Sequence, residues 1–199
     1  MWDAAEEPPD PLKPEVSLTG LCLYFDTNIV GDSAKAVRDL WRCRAEGWIR
    51  IQRTDTMDQE LERASKLKRE DLLAESGRLA ESLGGVYLEV GGCVSGSSQS
   101  QRDFEDAFQM LHPGSNKLPR RGNDIRDAMH ITCAARYSAQ FFVTRDKGIL
   151  KRAPQIRERF GLDVADPEQT LLHVEQAIDL TMRAHHQIGS PKWIPSWRP

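Results

Sequence analysis

The sequence predicts an α/β domain built on a mainly parallel sheet, and three observations lead there. Leu21-Cys22-Leu23-Tyr24-Phe25 and Phe141-Phe142-Val143-Thr144 are short, nearly continuous apolar runs, as expected of strands buried on both faces. Segments with apolar residues at helical spacing lie between and around these runs, and strands alternating with helices imply a parallel sheet covered by helices. The 199 residues, 39% of them hydrophobic, suffice for one domain with a core of its own.

Residues 1–19, with prolines at 8, 9, 11 and 14, read as a disordered or extended lead-in, and the domain proper is expected over 20–187. After the first strand, Ala34, Val37, Leu40, Trp41 and Ala45 mark a helix over 33–46, stopped by Gly47. Trp48-Ile49-Arg50-Ile51 reads as the second strand. A helix follows from about Asp55, and charged helix continues to about residue 83, where Gly84-Gly85 breaks it. Val86–Val90 reads as a third strand, 91–102 as a Gly/Ser/Gln-rich loop, and Asp103–His112 as a short helix. Pro113–Gly122 is a basic loop, Asp124–Tyr137 a well-buried helix, 141–144 a strand, Leu162–Val164 a last strand and Pro167–Gln187 a last helix. Residues 188–199 read as an irregular tail.

Composition narrows the function. With 27 Lys and Arg against 30 Asp and Glu, the formal charge is −3, which excludes a generally polybasic nucleic-acid binder but not a local basic patch. Mean hydropathy is −0.55, and no apolar run approaches the length of a membrane span. Acidic residues stand at the start where a secretory signal would be basic. Cys22, Cys43, Cys93 and Cys133 lie far apart, as suits reduced core thiols of a cytoplasmic protein.

In parallel sheets, ligands bind beyond the carboxyl ends of the strands, and two strands end there in aspartate, at Asp26 and Asp146. Helix capping and turn formation account for either one alone. Glu60 lies about 65° from the centre of the Met57/Leu61/Ala64 stripe, whereas Glu62 lies about 130° away and faces solvent. Asp124 and Asp127 open the buried helix; a helix N-terminus favours both charges, but Asp127 borders Ile131 and Ala134. His130 reads as partly buried or surface, without a metal role. Carboxylates brought within about 6 Å of one another stay ionised only with cations between them. All-oxygen ligands favour Mg²⁺ or Mn²⁺ over zinc, and two such ions about 4 Å apart could activate water and stabilise the leaving oxygen in phosphodiester cleavage.

At these residues the chain resembles the PIN-domain nuclease family. The matching segments are LYFDTNIV (23–30), MDQEL (57–61), DAMHITCAA (127–135) and FFVTRDKGIL (141–150), within a stretch from about Leu21 to Val174. The resemblance implies a three-layer α/β/α sandwich and metal-dependent endoribonuclease activity on single-stranded RNA. It makes Asp26, Glu60, Asp127 and Asp146 the acidic quartet of a Mg²⁺ or Mn²⁺ site, with Asp26, Asp127 and Asp146 ligating the metal, Glu60 ligating it or orienting a water, Asn28 and Thr144 supporting them and Asp124 in partial correspondence. The segment 89–122 is longer than in compact bacterial toxin members, so membership of a toxin–antitoxin pair stays open.

An acidic site needs cations beside it to hold a polyanion. Lys117, Arg120, Arg121 and Arg126 precede the third acid, and Arg145, Lys147, Lys151 and Arg152 surround the fourth; a solvated charged face is the ordinary fate of any one of them. A haloacid-dehalogenase-like phosphatase would want an aspartate where Asn28 stands, and no G-x-G-x-x-G follows the first strand for a dinucleotide. The alternative of another class is a catalytically silent PIN-like scaffold that binds RNA or protein. A third possibility, compatible with catalysis, makes the charged helix 57–83 and the tail a docking surface for an antitoxin-like inhibitor or a second copy in a homodimer.

Overall fold

The computed structural model describes residues 17–54, 56, 57, 60, 80–82, 98–114 and 122–187. Five strands among them, β1 (Cys22–Phe25), β2 (Arg50–Thr54), β3 (Ala80–Ser82), β4 (Phe141–Val143) and β5 (Asp163–Ala165), form one sheet in the order β3-β2-β1-β4-β5. Every neighbouring pair is parallel, with Leu23 opposite both Ile51 and Phe141. The helices are α1 (Lys35–Ala45), α2 (Ser98–Leu111), α3 (Gly122–Arg136), α4 (Lys147–Leu150), α5 (Ala153–Phe160) and α6 (Pro167–Gln187), with a 3-10 turn at Thr27–Ile29.

Alternation along the buried strands divides the core in two. Cys22 and Tyr24 of β1, Phe142 of β4 and Val164 of β5 pack with Phe104 and Phe108 of α2, Met129 and Ile131 of α3 and Ile156 of α5. Leu23 and Phe25, Phe141 and Val143, and Ala165 turn the other way, onto Val37 and Leu40 of α1 and Val174 and Ile178 of α6. The result is the expected three-layer α/β/α arrangement with a parallel central sheet. The chain builds outward from β1 through β2 to β3, then returns to the opposite side of β1 with β4 and β5. The order therefore reverses between β1 and β4, where their carboxyl ends form the crevice in which such sheets bind ligands.

Several boundaries differ from the sequence reading. The second strand begins two residues later, Trp48 and Ile49 being buried ahead of it. Residues 80–82, expected at the end of the charged helix, form β3, because pairing with Gln52–Thr54 of β2 overrides the helical leaning of Ala-Glu-Ser. The helix expected from Asp103 starts at Ser98. Helices α4 and α5 were not expected: one turn is nucleated by the Asp146 cap, and the other carries Pro154 in its first turn and ends at Gly161, whose φ of 67° suits glycine. Leu18 and Thr19 donate to the carbonyls of Gly47 and Trp48. The rest of the lead-in, residues 61–79 of the expected charged helix, the expected strand at 86–90, residues 89–97 and 115–121 of the longer segment 89–122, and the tail lie outside the described residues. No helix among those residues is long and apolar enough to cross a membrane.

Phe142 is fully buried at the centre of the sheet. Phe142→Ala is expected to lower unfolding free energy by about 3–5 kcal/mol, read by urea denaturation; a loss under about 1 kcal/mol would mean that this face is not the core.

Candidate metal centre

Four segments meet at the β1/β4 crevice. Asp26 leaves β1 with its backbone N–H on Val143 O at 3.0 Å, so the sheet ladder itself fixes its position. Its side chain is buried at 7% exposure and accepts three hydrogen bonds. Oδ1 takes the Thr27 backbone N–H at 2.7 Å, while Oδ2 takes Asn28 Nδ2 at 2.6 Å and the Thr144 hydroxyl at 2.5 Å. Asn28 also accepts the Arg145 backbone N–H at 3.0 Å, and Asp146 donates its backbone N–H to Thr144 Oγ1 at 2.9 Å. Asn28 and Thr144 thus stitch the ends of β1 and β4 around Asp26. Asp146 is exposed; its Oδ1 caps α4 by accepting from Gly148 N at 2.6 Å and Ile149 N at 3.1 Å. The capping explanations for Asp26 and Asp146 are therefore real.

Glu60 reaches the crevice from helical backbone beyond β2. Arg126 Nε donates to its Oε1 at 2.9 Å, and its Oε2 accepts the Thr27 hydroxyl and lies 3.2 Å from His130 Nε2. His130 is 1% exposed, not near the surface, and its Nδ1 lies 2.6 Å from Thr54 Oγ1. The ligand atoms of Asp26, Glu60 and His130 lie within 4.8 Å of one another, whereas Asp127 and Asp146 complete no such group among the described residues. Asp127 is half-buried, and its Oδ2 stands 3.5 Å from Nε2 of His112; Asp124 stands 3.9 Å from Nδ1 of the same ring. His112 Nε2 is buried without a hydrogen bond.

Charge accounts for the titration behaviour. Burial pushes the Glu60 carboxyl up, but hydrogen bonds from His130, Thr27 and Arg126 with the His130 charge outweigh it and hold the group at about 2. Burial depresses the His130 imidazole, yet the Glu60 hydrogen bond and the charges of Asp26, Glu60 and Asp127 raise it overall. Asp26 is raised, chiefly by burial, against the opposing His130 charge and Thr144 hydrogen bond. Burial also raises Asp127, and the charges of Asp26, Asp146 and Glu60 add to it, bringing it to about 7 despite His130. Asp127 thus feels three other acids of the predicted quartet.

Compared with protein-family models, curated proteins and solved structures, the chain finds no match. The chemistry of the site therefore rests on its own side chains.

A hard divalent cation suits part of this donor set. Among the described residues Asp127 accepts no hydrogen bond and Asp146 Oδ2 accepts none, so both keep oxygen lone pairs facing uncompensated negative charge. Mg²⁺ keeps several waters and needs only one or two carboxylates, which accommodates acids spaced more widely than direct ligation requires.

The predicted RNA-holding cations fare unevenly. Arg145 is committed elsewhere, to Asp32 Oδ2 at 2.5 Å and to both Glu168 oxygens at 2.9 and 3.0 Å. Lys147 is exposed beside Asp146. Lys117, Arg120 and Arg121 lie outside the described residues. His112 had no part in the sequence reading, and His130, set aside there as partly buried or surface without a metal role, is buried in the close ligand group. His130 carried a signal, since a residue three beyond Asp127 sits only about 60° from it around a helix; His112, at the far end of α2, carried none.

Because folding raises the Asp127 pKa from 3.8 to about 7, the cation-free protein loses stability as pH rises through that window. Asp127→Asn should stabilise it at pH 8 by about 2 kcal/mol after allowance for solvent screening, with the gain fading towards pH 4. Thermal melts in EDTA read this directly; a lower Tm at pH 8 would show that Asp127 is not under charge stress.

Proposed function

We propose that this chain is a Mg²⁺- or Mn²⁺-dependent endoribonuclease of PIN type that hydrolyses phosphodiester bonds in single-stranded RNA. The observation that carries the reading is the close group of Asp26, Glu60 and His130 at the point where the strand order reverses, with Asp127 near enough to feel the charges of Asp26, Glu60 and Asp146. A bound divalent ion supplies an activated water and charge for the phosphoryl oxygens. Asp26, Asp127 and Asp146 would hold it. Asn28, Thr144 and the Thr27 backbone hold the Asp26 carboxylate in one orientation, so its placement costs no reorganisation when substrate arrives. Asp146 keeps Oδ1 on the α4 backbone and turns Oδ2 free. Lys147, exposed next to Asp146, would meet a phosphate of the substrate. Cytoplasm is the compartment proposed, in keeping with the buried Cys22, Cys43 and Cys133, which form no disulfide among the described residues.

A second reading has its own observation. Arg126 and His130 already answer the charge of Glu60, as would suit a catalytically silent scaffold that binds RNA or protein through this fold.

Cleavage of labelled single-stranded RNA with and without Mn²⁺ separates the two. The wild type should cut, and EDTA should stop it. Asp26→Asn, which places an amide where Thr27, Asn28 and Thr144 all donate, should reduce cleavage at least ~100-fold while circular dichroism stays native. EDTA-resistant cutting, or full activity in that variant, contradicts the nuclease; RNA binding without cleavage favours the scaffold.

Gly148 approaches Asp146 so closely that a Cβ there would lie 2.9 Å from Oδ1. Gly148→Ala should displace that carboxylate and weaken cleavage by roughly tenfold, the scale of losing support around a ligand. Unchanged kinetics would separate Asp146 from the reaction.

A further inference from the structure

Glu60, one of the four predicted cation ligands, is the acid whose oxygens are already taken. Oε1 accepts Arg126 Nε at 2.9 Å, and Oε2 meets both the Thr27 hydroxyl and His130 Nε2. A carboxylate offers about four acceptor positions, so little of Glu60 is left for an ion. Arg126 is itself 9% exposed and pinned a second time by Asn123 Oδ1. A guanidinium does not deprotonate, so an ion approaching Glu60 meets a fixed positive charge. Distance alone groups Asp26, Glu60 and His130, but both ring nitrogens of His130 are engaged, one by Thr54 and one by Glu60. Asp127 and Asp146 Oδ2, by contrast, accept nothing among the described residues.

We propose that Glu60 is a positioning residue and not a cation ligand: it clamps Arg126, His130 and Thr27 beside Asp26 and leaves Asp26, with the more widely spaced Asp127 and Asp146 reaching the ion through its retained waters, to hold a single divalent ion. The inference rests on the cation-dependent reading above. The clamp reaches the ion through Thr27, whose hydroxyl is held by Glu60 while its backbone N–H orients Asp26 Oδ1. Breaking the clamp therefore loosens the aim of Asp26 without removing a donor.

Calorimetric titration of the full chain with Mn²⁺, with electron paramagnetic resonance of the bound ion, tests this. The wild type should bind one Mn²⁺. Glu60→Gln should still bind one, weakened no more than about tenfold, as for loss of support around a ligand, with a broadened resonance because Asp26 is less well oriented. Asp127→Asn should weaken binding at least ~100-fold. Should Glu60→Gln unfold, adding Arg126→Met removes both halves of the pair, which proteins tolerate better than removal of one, and the same single-ion binding is expected. Two ions in the wild type, with one lost in either Glu60 variant, would overturn the inference. So would loss of all binding in those variants with the fold intact, or an unchanged resonance in Glu60→Gln. Absence of Mn²⁺ binding by the wild type would instead defeat the cation-dependent reading itself.

Discussion

Repulsion among carboxylates at the β1/β4 crevice is the constraint around which the rest of this molecule is arranged. Asp26 cannot retreat from it: its backbone is a rung of the sheet, and its side chain is buried where β4 and β1 end together. Burying a charge is tolerable only when hydrogen bonds replace its water, and the three donors on Asp26 supply that replacement. Asn28 and Thr144, which look like turn residues in isolation, are better understood as the solvation shell of this one carboxylate.

The site answers its negative charge unequally. On the Glu60 side the answer is built into the chain, with Arg126 and His130 in direct contact. On the Asp127 side no such contact is made: the carboxyl is forced up to about 7 by burial and by its acidic neighbours, and the His112 ring stands at 3.5 Å without a hydrogen bond. Leaving one half of a charge cluster uncompensated costs stability, and proteins keep such costs at functional sites. A site that were purely structural would gain by placing a lysine there.

The features legible in the sequence were those with strong local signals. Continuous apolar runs marked β1 and β4, and Asp26, Thr144 and Asp146 could be placed because they follow those runs directly. Helical spacing put Glu60 at the edge of its buried face, and the structure leaves it partly exposed beside buried Met57. What could not be read depended on partners distant in the chain. β3 exists because β2 offers an edge. His130 is buried because Thr54 and Glu60, 76 and 70 residues away, receive its two nitrogens. Arg145 looks free next to Asp146 in sequence but is captured by Asp32 and Glu168. Polar contacts of that range have no periodicity to betray them.

A crystal soaked in MnCl₂, with anomalous differences measured at the manganese edge, tests the central claim most directly. A peak is expected in the β1/β4 crevice among the carboxylates of Asp26, Asp127 and Asp146, on the side of Asp26 away from Arg126. No peak at millimolar Mn²⁺, or peaks only at scattered surface acids, would contradict it.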